Sequence, residues 1–572
     1  MKSWRINLVL GFFLLAGLII TIRLAQLQIL KAQTYRALAN GQQESFESPQ
    51  QTRGEIFLSL NSQDPIRIAA NKDWWTCYVS PKEIKDTATT AQALSKMLKL
   101  SEPELKTKLR DAKGSFVVIK EKLSEGEIAS VKKQNITGVY LQKERYRFYP
   151  YQDLASDVIG FVDQEAKGKY GTEKYFDECL SGNSEWLKKQ ISPYGYSLEE
   201  KSTQQKGCDI YLTLDKNVQM QAEGLLAQAQ TDYKIEGGEI IVIDPNTGKI
   251  IAMAEVPSFN PNNYGSYKLE DFTNGNVQHL FEPGSMFKGI TMASGLNEKV
   301  VTPETTFEDK GFVMVGGRKL SNFHGGVFGV SNMTRVLEKS INTGAVFVES
   351  RIGGKTFLKY LEKFGIFDKT GIELPGEIAS KNSNLRSGRE VNFATAAFGQ
   401  GLELTPINFV RAFSVLANGG KLIQPYIVDS ISEAGTVVKT EPKILKENII
   451  SKEALDQLSK MLEQVTETGY GKKAKVPGYY VAGKTGTSQI PYASLGIDKT
   501  GYSDKTWQSF IGFYPAFEPK FLMLIKLDNP NTATAEYSAA PMFGKLAHYI
   551  LNYYKIPPDY DINSQPATTS NP

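Results

Sequence analysis

An apolar run close to the N-terminus is the first clear pattern in the chain. Residues 8–22 read LVLGFFLLAGLIITI, and within this run only Thr21 is polar. A membrane-spanning helix needs about 20 apolar residues, so the run is slightly short. The side chain of Arg23 can reach the membrane surface, which allows residues 24–27 to complete the span. Since no small-x-small cleavage site ends the run, we expect an uncleaved transmembrane anchor over residues 8–27 rather than a cleaved signal peptide.

The next part of the chain, residues 32–205, mixes polar and apolar positions in short runs. Residues 116–119 and 139–141 have the pattern of strands, and residues 91–98 have the pattern of a helix. This part contains few candidates for chemistry, so we predict a non-catalytic α+β domain. The polar sequence EKSTQQKG at residues 200–207 predicts a linker at its end.

A different pattern follows the linker and predicts one large domain over residues 208–556. A strand-like stretch comes first, a helix is predicted over residues 216–230, and helical patterns dominate later, up to about residue 475. The strand-like stretches are residues 208–215, 239–243, 249–254, 478–482, 510–514 and 521–526. The turn sequence Asp244-Pro-Asn-Thr-Gly248 predicts a hairpin between the second and third of them.

The order of these elements predicts the fold class α+β. An antiparallel sheet flanked by helices is expected, with the first and last strands of the domain in one sheet. The polar tail, residues 561–572, is predicted to be disordered.

Composition and charge exclude several kinds of protein. The chain has 572 residues, of which 41% are hydrophobic and 22% charged, as expected of a folded protein with more than one domain. The formal net charge of +4 is too small to indicate nucleic-acid binding. Cys77, Cys179 and Cys208 form no C-x-x-C pair, so we predict isolated packed thiols and no metal or redox site. The three histidines are equally scattered and are predicted to be structural.

The first candidate for catalysis is Phe281-Glu-Pro-Gly-Ser-Met-Phe-Lys288. Its proline and glycine place Ser285 at the start of a helix, and residues three apart share a helix face, so Ser285 and Lys288 can meet. A serine hydroxyl needs a base to take its proton, and lysine is such a base when burial or a second cation lowers its pKa. Ser-x-x-Lys alone is weak evidence, because it also occurs at residues 130–133.

The second candidate, Ser340-Ile-Asn342, lies between two predicted helices, residues 332–339 and 343–351. A serine at such a place can pass protons, and an asparagine amide can hold a substrate carbonyl. The pattern itself is not specific, because Ser-x-Asn also begins at residues 59, 181, 258 and 380.

The third candidate, Lys484-Thr-Gly-Thr487, follows the apolar run Tyr479–Gly483, which predicts that Lys484 lies at the edge of a strand. Gly486 would allow the backbone of a substrate to approach closely. Lys-Thr-Gly also occurs at Lys369 and Lys499, but both follow an aspartate and have the composition of turns. Only Lys484 is therefore expected to line a cleft.

The three motifs in this order are typical of penicillin-binding proteins and class A β-lactamases, with Ile341 where aspartate is usual. On these residues the chain resembles the class B penicillin-binding proteins, most strongly over residues 237–547. Other family-like phrases are Ile243–Ala252, Val256–Pro261, Thr370–Glu377, Gly399–Gly401, Leu404–Pro406, Ala417–Gly420, Ser509–Pro515, Arg53–Ile56, Arg147–Pro150, Val158–Phe161, Lys169–Glu173 and Leu180–Gly182. The family usually has Asp-Arg-Asn-Gly after the Arg-Gly-Glu-Ile phrase, where this chain has FLSLNS, so the resemblance is weaker there.

The resemblance implies a peptidoglycan D,D-transpeptidase that needs no metal or organic cofactor. Ser285 would attack the penultimate D-Ala carbonyl of a stem peptide ending in D-Ala-D-Ala, with Lys288 as the base. Ser340 would relay a proton to the leaving D-Ala, and Asn342 would orient the substrate amide. An amine from a neighbouring stem peptide would then take the acyl group.

The third motif has an implied role in binding the same substrate. Lys484 would help to keep Lys288 neutral, and Thr485 would bind the terminal carboxylate. The backbone N–H groups of Ser285 and Thr487 would form an oxyanion hole, in which one donor is worth about 3–4 kcal/mol. β-Lactams would acylate the same serine as covalent inhibitors.

The resemblance also implies a location and partners. Peptidoglycan lies outside the inner membrane, which would leave residues 1–7 in the cytoplasm and place everything after the anchor outside. Residues 32–205 would be the pedestal, a dimerisation-type domain. Polymerisation of glycan would fall to a membrane glycosyltransferase, alongside the division or elongation machinery. The context Glu282-Pro-Gly-Ser285 favours the division (septal) type over the elongation type.

Several alternatives stay open at this point. A β-lactamase shares the motifs but is usually small and soluble, and a D,D-carboxypeptidase would use water in place of the amine. A β-lactam sensor or a silent scaffold would use the same fold without turnover. A Ser-His-Asp hydrolase would need Gly-x-Ser-x-Gly, and Gly284-Ser-Met lacks that pattern.

Overall fold

The computed structural model describes residues 52–61, 63–111, 116–182 and 206–561, together with residues 4, 10–15, 17 and 21. The predicted tail (1–7), anchor (8–27), linker (200–207) and C-terminal tail (561–572) lie wholly or largely outside these residues. Within them, no helix has both the length and the apolar character needed to cross a membrane.

Helices and strands alternate irregularly along the chain, as expected of an α+β protein. The strands are β1 Ile56–Ser59, β2 Ile66–Val79, β3 Val117–Lys120, β4 Val139–Phe148, β5 Phe161–Val162, β6 Gly168–Lys169, β7 Asp209–Asp215, β8 Gly237–Ile243, β9 Ile250–Val256, β10 Thr306–Asp309, β11 Phe312–Val315, β12 Arg318–Ser321, β13 Gly329–Asn332, β14 Leu422–Ile423, β15 Val428–Glu433, β16 Thr436–Lys439, β17 Ile444–Lys446, β18 Ala482–Pro491, β19 Tyr502–Tyr514 and β20 Phe521–Asp528. The helices are α1 Thr87–Leu98, α2 Glu102–Arg110, α3 Glu125–Gln134, α4 Ser156–Ile159, α5 Gly171–Tyr175, α6 Asp177–Leu180, α7 Lys216–Asp232, α8 Gly275–Gln278, α9 Lys288–Asn297, α10 Met333–Glu338, α11 Asn342–Ile352, α12 Gly354–Lys363, α13 Ser383–Arg386, α14 Glu390–Ala396, α15 Pro406–Ser414, α16 Lys452–Glu467 and α17 Ala539–Tyr553.

A five-stranded antiparallel sheet, in the order β18-β19-β20-β8-β9, forms the centre of the second half of the chain. Successive side chains of a strand point to opposite faces, and both faces of this sheet are covered. Ile240 and Val242 pack in a core with residues of α7 and α17. Ile241 and Ile243 pack in a second core with residues of α9 and α15. The predicted antiparallel sheet flanked by helices and the predicted hairpin (β8 and β9) are both confirmed.

A second sheet joins strands from both halves of the chain, in the order β16-β15-β7-β1-β2-β3, with β4 paired to β2. Strand β7, the first strand after the predicted linker, pairs parallel with β1 through Ile210 and Ile56. The expectation that this first strand shares a sheet with the last strands is therefore wrong. The alternation of buried side chains in β7 predicts a strand, but it holds no information about the partner strand.

A buried ion network connects three phrases that the sequence keeps far apart. Glu173 is fully buried and accepts hydrogen bonds from Arg53 Nε (2.7 Å) and Arg147 Nε (2.6 Å). Burial by itself would raise the pKa of Glu173, but the two guanidinium groups outweigh it and hold the pKa below its usual value. Breaking a buried ion pair costs about 3–5 kcal/mol. The network therefore stabilises the first half of the chain, even though the sequence after residue 56 departs from the family pattern.

A disulfide also ties the two halves together. Cys179, at the end of α6, is bonded to Cys208, directly before β7, with Cα atoms 5.4 Å apart. The prediction of three isolated thiols is therefore wrong for this pair, because spacing along the chain does not give cysteine pairing. Cys77 is free and buried, and burial raises the pKa of its thiol to about 12.

The strand that carries the third motif begins later than predicted. The apolar run at residues 478–482 leads into β18, which starts at Ala482 and ends at Pro491. Lys484-Thr-Gly-Thr487 therefore lies inside a strand and not after one. In the described sheet, β18 is the edge strand and pairs only with β19.

Candidate active site

The first motif forms a short 3-10 turn that continues as a helix. Gly284–Phe287 makes the turn and α9 begins at Lys288, so Ser285 and Lys288 are one turn apart on one face. The turn is held by Gly399, whose carbonyl accepts a hydrogen bond from Gly284 N at 3.0 Å. Gly399 has φ +77°, and a Cβ there would lie 2.2 Å from the carbonyl oxygen of Gly284. Only glycine fits at this contact, which explains its place in the family-like Gly-Gln-Gly phrase.

The amine of Lys288 is the centre of a hydrogen-bond network. Its Nζ lies 3.0 Å from Ser285 Oγ, 3.1 Å from Ser340 Oγ and 2.7 Å from Asn342 Oδ1. The side chain is 1% exposed. Burial, and then the charge of Lys484, lower the pKa of Lys288 well below its ordinary value. A neutral amine in contact with a serine hydroxyl is the arrangement that general-base catalysis requires.

The second motif occupies a tight turn between α10 and α11. Ser340 has φ +54°, a left-handed conformation that costs about 1–2 kcal/mol for a residue with a side chain. In this conformation both its carbonyl oxygen and its Oγ contact the amine of Lys288. The amide of Asn342, the first residue of α11, donates from Nδ2 to the carbonyl of Ser321 at 3.0 Å. That bond fixes which side of the amide faces Lys288.

The third motif brings a second buried lysine to the same hydroxyl. Lys484 Nζ lies 3.1 Å from Ser340 Oγ and 3.3 Å from Thr485 Oγ1, and its side chain is 0% exposed. Burial lowers the pKa of Lys484 to about 7. The two rival Lys-Thr-Gly sequences are elsewhere: Lys499 Nζ bonds Tyr492 at an exposed turn, and the Lys369 carbonyl accepts from Arg411.

The predicted substrate-binding residues divide into two groups. Thr485 and Thr487 line a cleft of about 340 Å³ in front of Ser285, together with Ser340 and Asn342. Gly486 points the other way. A Cβ at Gly486 would lie 2.9 Å from Met286 Cγ and 3.0 Å from Pro283 O. Its small size is therefore needed for packing behind the Ser285 turn and not for contact with a substrate.

Several cleft residues carry no signal in the sequence. They are Asn322, Phe323, Phe328, Lys339, Phe398, Gln400, Tyr470, Ser488, Gln489, Thr506, Thr534, Glu536 and Tyr537. They come from segments that the fold brings together, among them strands β18 and β19, and no catalytic motif contains them; Gln400 alone belongs to a phrase noted in the sequence, Gly399–Gly401. Buried Asp309 organises one such loop, because it accepts hydrogen bonds from Asn322 Nδ2 (2.9 Å) and Thr343 Oγ1 (2.6 Å).

One cluster outside the cleft has the residue types of a metal site. Ligand atoms of Glu239, Glu255 and His279 lie within 4.8 Å of one another. Lys526 Nζ, however, lies 2.8 and 3.0 Å from the two carboxylate oxygens of Glu239. The ammonium group of Lys526 supplies the positive charge that this buried carboxylate needs, so the cluster is explained as an ion-pair network.

The fold and the cleft together are those of a serine-type enzyme. Two family models match the chain: the penicillin binding protein transpeptidase domain over residues 238–548 and the penicillin-binding protein dimerisation domain over residues 50–212. The transpeptidase domain model covers more than half of the chain. The chain therefore belongs to the penicillin-binding protein family, and its two domains are those of class B.

Individual relatives agree with this assignment along nearly the whole chain. Stage V sporulation protein D of Bacillus subtilis is 32% identical over 95% of this chain and 84% of its own length. Peptidoglycan D,D-transpeptidase FtsI of Escherichia coli is 26% identical over 97% of this chain and 93% of its own length. Among solved structures, penicillin binding protein 3 of Mycobacterium tuberculosis in complex with aztreonam is similar in fold. Its TM-score is 0.68 at 24% identity, over 89% of this chain and 98% of that one.

A matched pair of variants separates the hydroxyl of Ser340 from its strained backbone. Ser340→Ala removes the hydroxyl and keeps a side chain at φ +54°, whereas Ser340→Gly removes both. We expect both to acylate Ser285 about 10²-fold more slowly, because both lose the hydroxyl that contacts the amines of Lys288 and Lys484. The free energy of unfolding of the glycine variant should be about 1 kcal/mol higher than that of the alanine variant. Urea unfolding and penicillin acylation rates measure the two effects, and equal stability of the variants would contradict the strain.

Removing Lys484 should change both the rate of acylation and its pH dependence. In Lys484→Ala we expect acylation by penicillin to be at least about 10²-fold slower. The charge of Lys484 helps to lower the pKa of Lys288, so its loss raises that pKa. The acid side of the pH–rate profile should therefore move to higher pH. Lys499→Ala is the matched control and should keep the wild-type profile. A near-normal rate for Lys484→Ala would assign the third motif to another lysine.

Proposed function

We propose that this chain is a peptidoglycan D,D-transpeptidase that forms an acyl-enzyme on Ser285. The observation that carries the proposal is the contact of Lys288 Nζ with Ser285 Oγ at 3.0 Å, inside a network closed by Ser340 and Asn342. A serine hydroxyl in contact with a buried, neutral amine is suited to nucleophilic attack on a peptide carbonyl. The substrate is a stem peptide ending in D-Ala-D-Ala.

Acylation uses the residues in a definite order. Ser285 Oγ attacks the carbonyl of the penultimate D-Ala, and Lys288 Nζ takes the hydroxyl proton. The backbone N–H groups of Ser285 and Thr487 stabilise the negative charge that develops on the carbonyl oxygen. When the C–N bond breaks, the proton passes from Lys288 through Ser340 Oγ to the leaving amine, and D-Ala departs.

Substrate placement depends on the charged and hydroxyl groups of the third motif. The terminal carboxylate of the donor stem peptide binds Thr485 Oγ1 and the ammonium of Lys484, and the Asn342 amide holds the peptide bond. An amine of a second stem peptide then attacks the ester on Ser285, gives its proton to Lys288 and forms the cross-link. Ser285 Oγ recovers its proton, so the cycle closes.

Within the family we assign the chain to the septal type. The Glu282-Pro-Gly-Ser285 context favours that type, and the relatives named FtsI match the chain over nearly its whole length. The residues before 208 form the pedestal, and a membrane glycosyltransferase of the division machinery supplies the glycan strands. β-Lactams inhibit the enzyme by acylating Ser285 in place of the stem peptide.

We infer from the sequence that residues 8–27 anchor the chain in the bacterial inner membrane, with residues 1–7 in the cytoplasm and the catalytic domain outside. The proposed substrate and one feature of the structure support this orientation. The substrate of the reaction is made available outside the membrane, and the Cys179–Cys208 disulfide is a bond that forms and persists in oxidising compartments.

Intact-protein mass after incubation with penicillin tests the nucleophile and the family activity together. We expect one stable adduct on the wild type and none on Ser285→Ala, which should remain folded because Ser285 is at the surface of the cleft. Rapid hydrolysis of penicillin without an adduct would indicate a β-lactamase. The absence of both adduct and hydrolysis would indicate a silent scaffold and contradict the proposal.

A reporter fused after Pro572 tests the orientation. An enzyme such as alkaline phosphatase, which is active only where disulfides form, should be active in this fusion. The matched control fusion carries the reporter after residue 7, ahead of the anchor, and should be inactive. Activity of a cytoplasmic reporter fused after Pro572 would overturn the proposed topology.

A further inference from the structure

The cleft is lined almost entirely by neutral side chains. Among its described lining residues the charged ones are Lys339 and Glu536. Lys339 Nζ lies 5.3 Å from the ring centroid of Tyr470, so this cation already has an aromatic partner. Within the described part of the chain, the carboxylate of Glu536 has no hydrogen bond or ion pair. A half-buried carboxylate that lines a neutral cleft is available for a cationic group of the substrate.

The loop that carries Glu536 is held firmly beside the third motif. It follows β20, and the backbone N–H of Ala535 donates to Thr487 Oγ1 at 3.2 Å. Gln508, on the neighbouring strand β19, makes three hydrogen bonds with the loop: it donates to the carbonyl of Thr532 (2.7 Å) and accepts from Thr532 Oγ1 (2.7 Å) and Ser538 Oγ (2.6 Å). These hydrogen bonds hold the segment that carries Glu536 beside Thr487.

The direction of the bound donor peptide follows from the positions of the catalytic groups. Edge strands such as β18 can pair with an extended peptide. The terminal carboxylate of the donor belongs at Lys484 and Thr485, and its scissile carbonyl belongs between Ser285 and Thr487. The residue that precedes D-Ala-D-Ala then lies further along β18, beyond Thr487, the residue that the loop carrying Glu536 contacts through Ala535.

We propose that Glu536 binds the side-chain ammonium of the diamino residue that precedes D-Ala-D-Ala in the donor stem peptide. The proposal rests on the transpeptidase function given above and adds a specificity-determining residue to it. The same ammonium chemistry also exists on the acceptor stem peptide. The donor is favoured because Glu536 stands beside Thr487, where the donor's own scissile carbonyl must bind before any acceptor arrives.

The test compares two synthetic donor peptides that end in D-Ala-D-Ala. One has lysine at the preceding position, and the other has Nε-acetyl-lysine, in which the same side-chain stem ends in an uncharged amide. The rate of acyl-enzyme formation on the full-length chain is followed by intact-protein mass. We expect the wild type to favour the lysine donor by about tenfold or more, the range of a hydrogen bond to a charged group.

Variants identify the residue responsible. Glu536→Gln should bring the ratio of the two rates close to one, and Glu536→Lys should invert it, because the cation then repels the ammonium. Glu441→Gln removes an exposed carboxylate outside the cleft and should keep the wild-type ratio. Since each ratio is measured within one variant, a general loss of activity does not affect it.

Each other outcome overturns a specific statement. Equal rates of acyl-enzyme formation with both donor peptides in the wild type would show that Glu536 does not bind the ammonium of the donor. An unchanged ratio of the two rates in Glu536→Gln would show the same. A preference that appears only in the aminolysis step, with acceptors differing in the same way, would assign the carboxylate to the acceptor and overturn the donor assignment. Failure of both donors to acylate the wild type would instead overturn the proposed function, and this assignment with it.

Discussion

The whole site depends on keeping two lysine amines in the protein interior beside one serine hydroxyl. Lys288 and Lys484 both lie 3.1 Å from Ser340 Oγ, and among the described residues no carboxylate is a hydrogen-bond partner of either. Their nitrogens are therefore within about 6 Å, where two unit charges repel by about 3 kcal/mol at an effective dielectric constant of about 20. Burial adds to this penalty, and it lowers the pKa of both amines. For Lys288 the charge of Lys484 lowers the pKa further.

The rest of the fold can be understood as the support that such an arrangement needs. Lys288 is fixed by helix α9, Lys484 by an edge strand, and Ser340 by a strained turn between two helices. Strain of this kind persists only where the surroundings overdetermine the conformation. Here Gly399 and Gly486 close the packing around the Ser285 turn: a Cβ at Gly399 would collide with the backbone of Gly284, and one at Gly486 would crowd Met286 and Pro283. The buried Arg–Glu–Arg network stabilises the pedestal itself, and the disulfide connects the pedestal to the catalytic half, with which it shares a sheet.

The sequence is enough to predict those parts of the site that depend on local spacing. Ser285 and Lys288 meet because three residues make nearly one helical turn, and the β8–β9 hairpin forms where turn residues separate two apolar runs. Contacts between distant segments are not encoded in this way. The partner of β7, the pairing of Cys179 with Cys208 and the position of Glu536 at the cleft all depend on which remote elements pack together. Gly486 illustrates the difference: its presence in the motif is predictable, but its reason, contact with Pro283 and Met286, appears only in three dimensions.

The electrostatics of the two lysines would give the proposed substrate carboxylate a role in the chemistry as well as in binding. In the free enzyme the pKa of Lys484 is about 7, so near that pH the Lys484 amine is neutral in a large fraction of the molecules. A carboxylate bound beside Thr485 favours the charged form and raises this pKa. Charged Lys484 then disfavours protonation of Lys288 across Ser340, because like charges at this distance repel. A ligand with a correctly placed carboxylate therefore helps to prepare the base that activates Ser285, and a penicillin carboxylate in the same position would have the same effect.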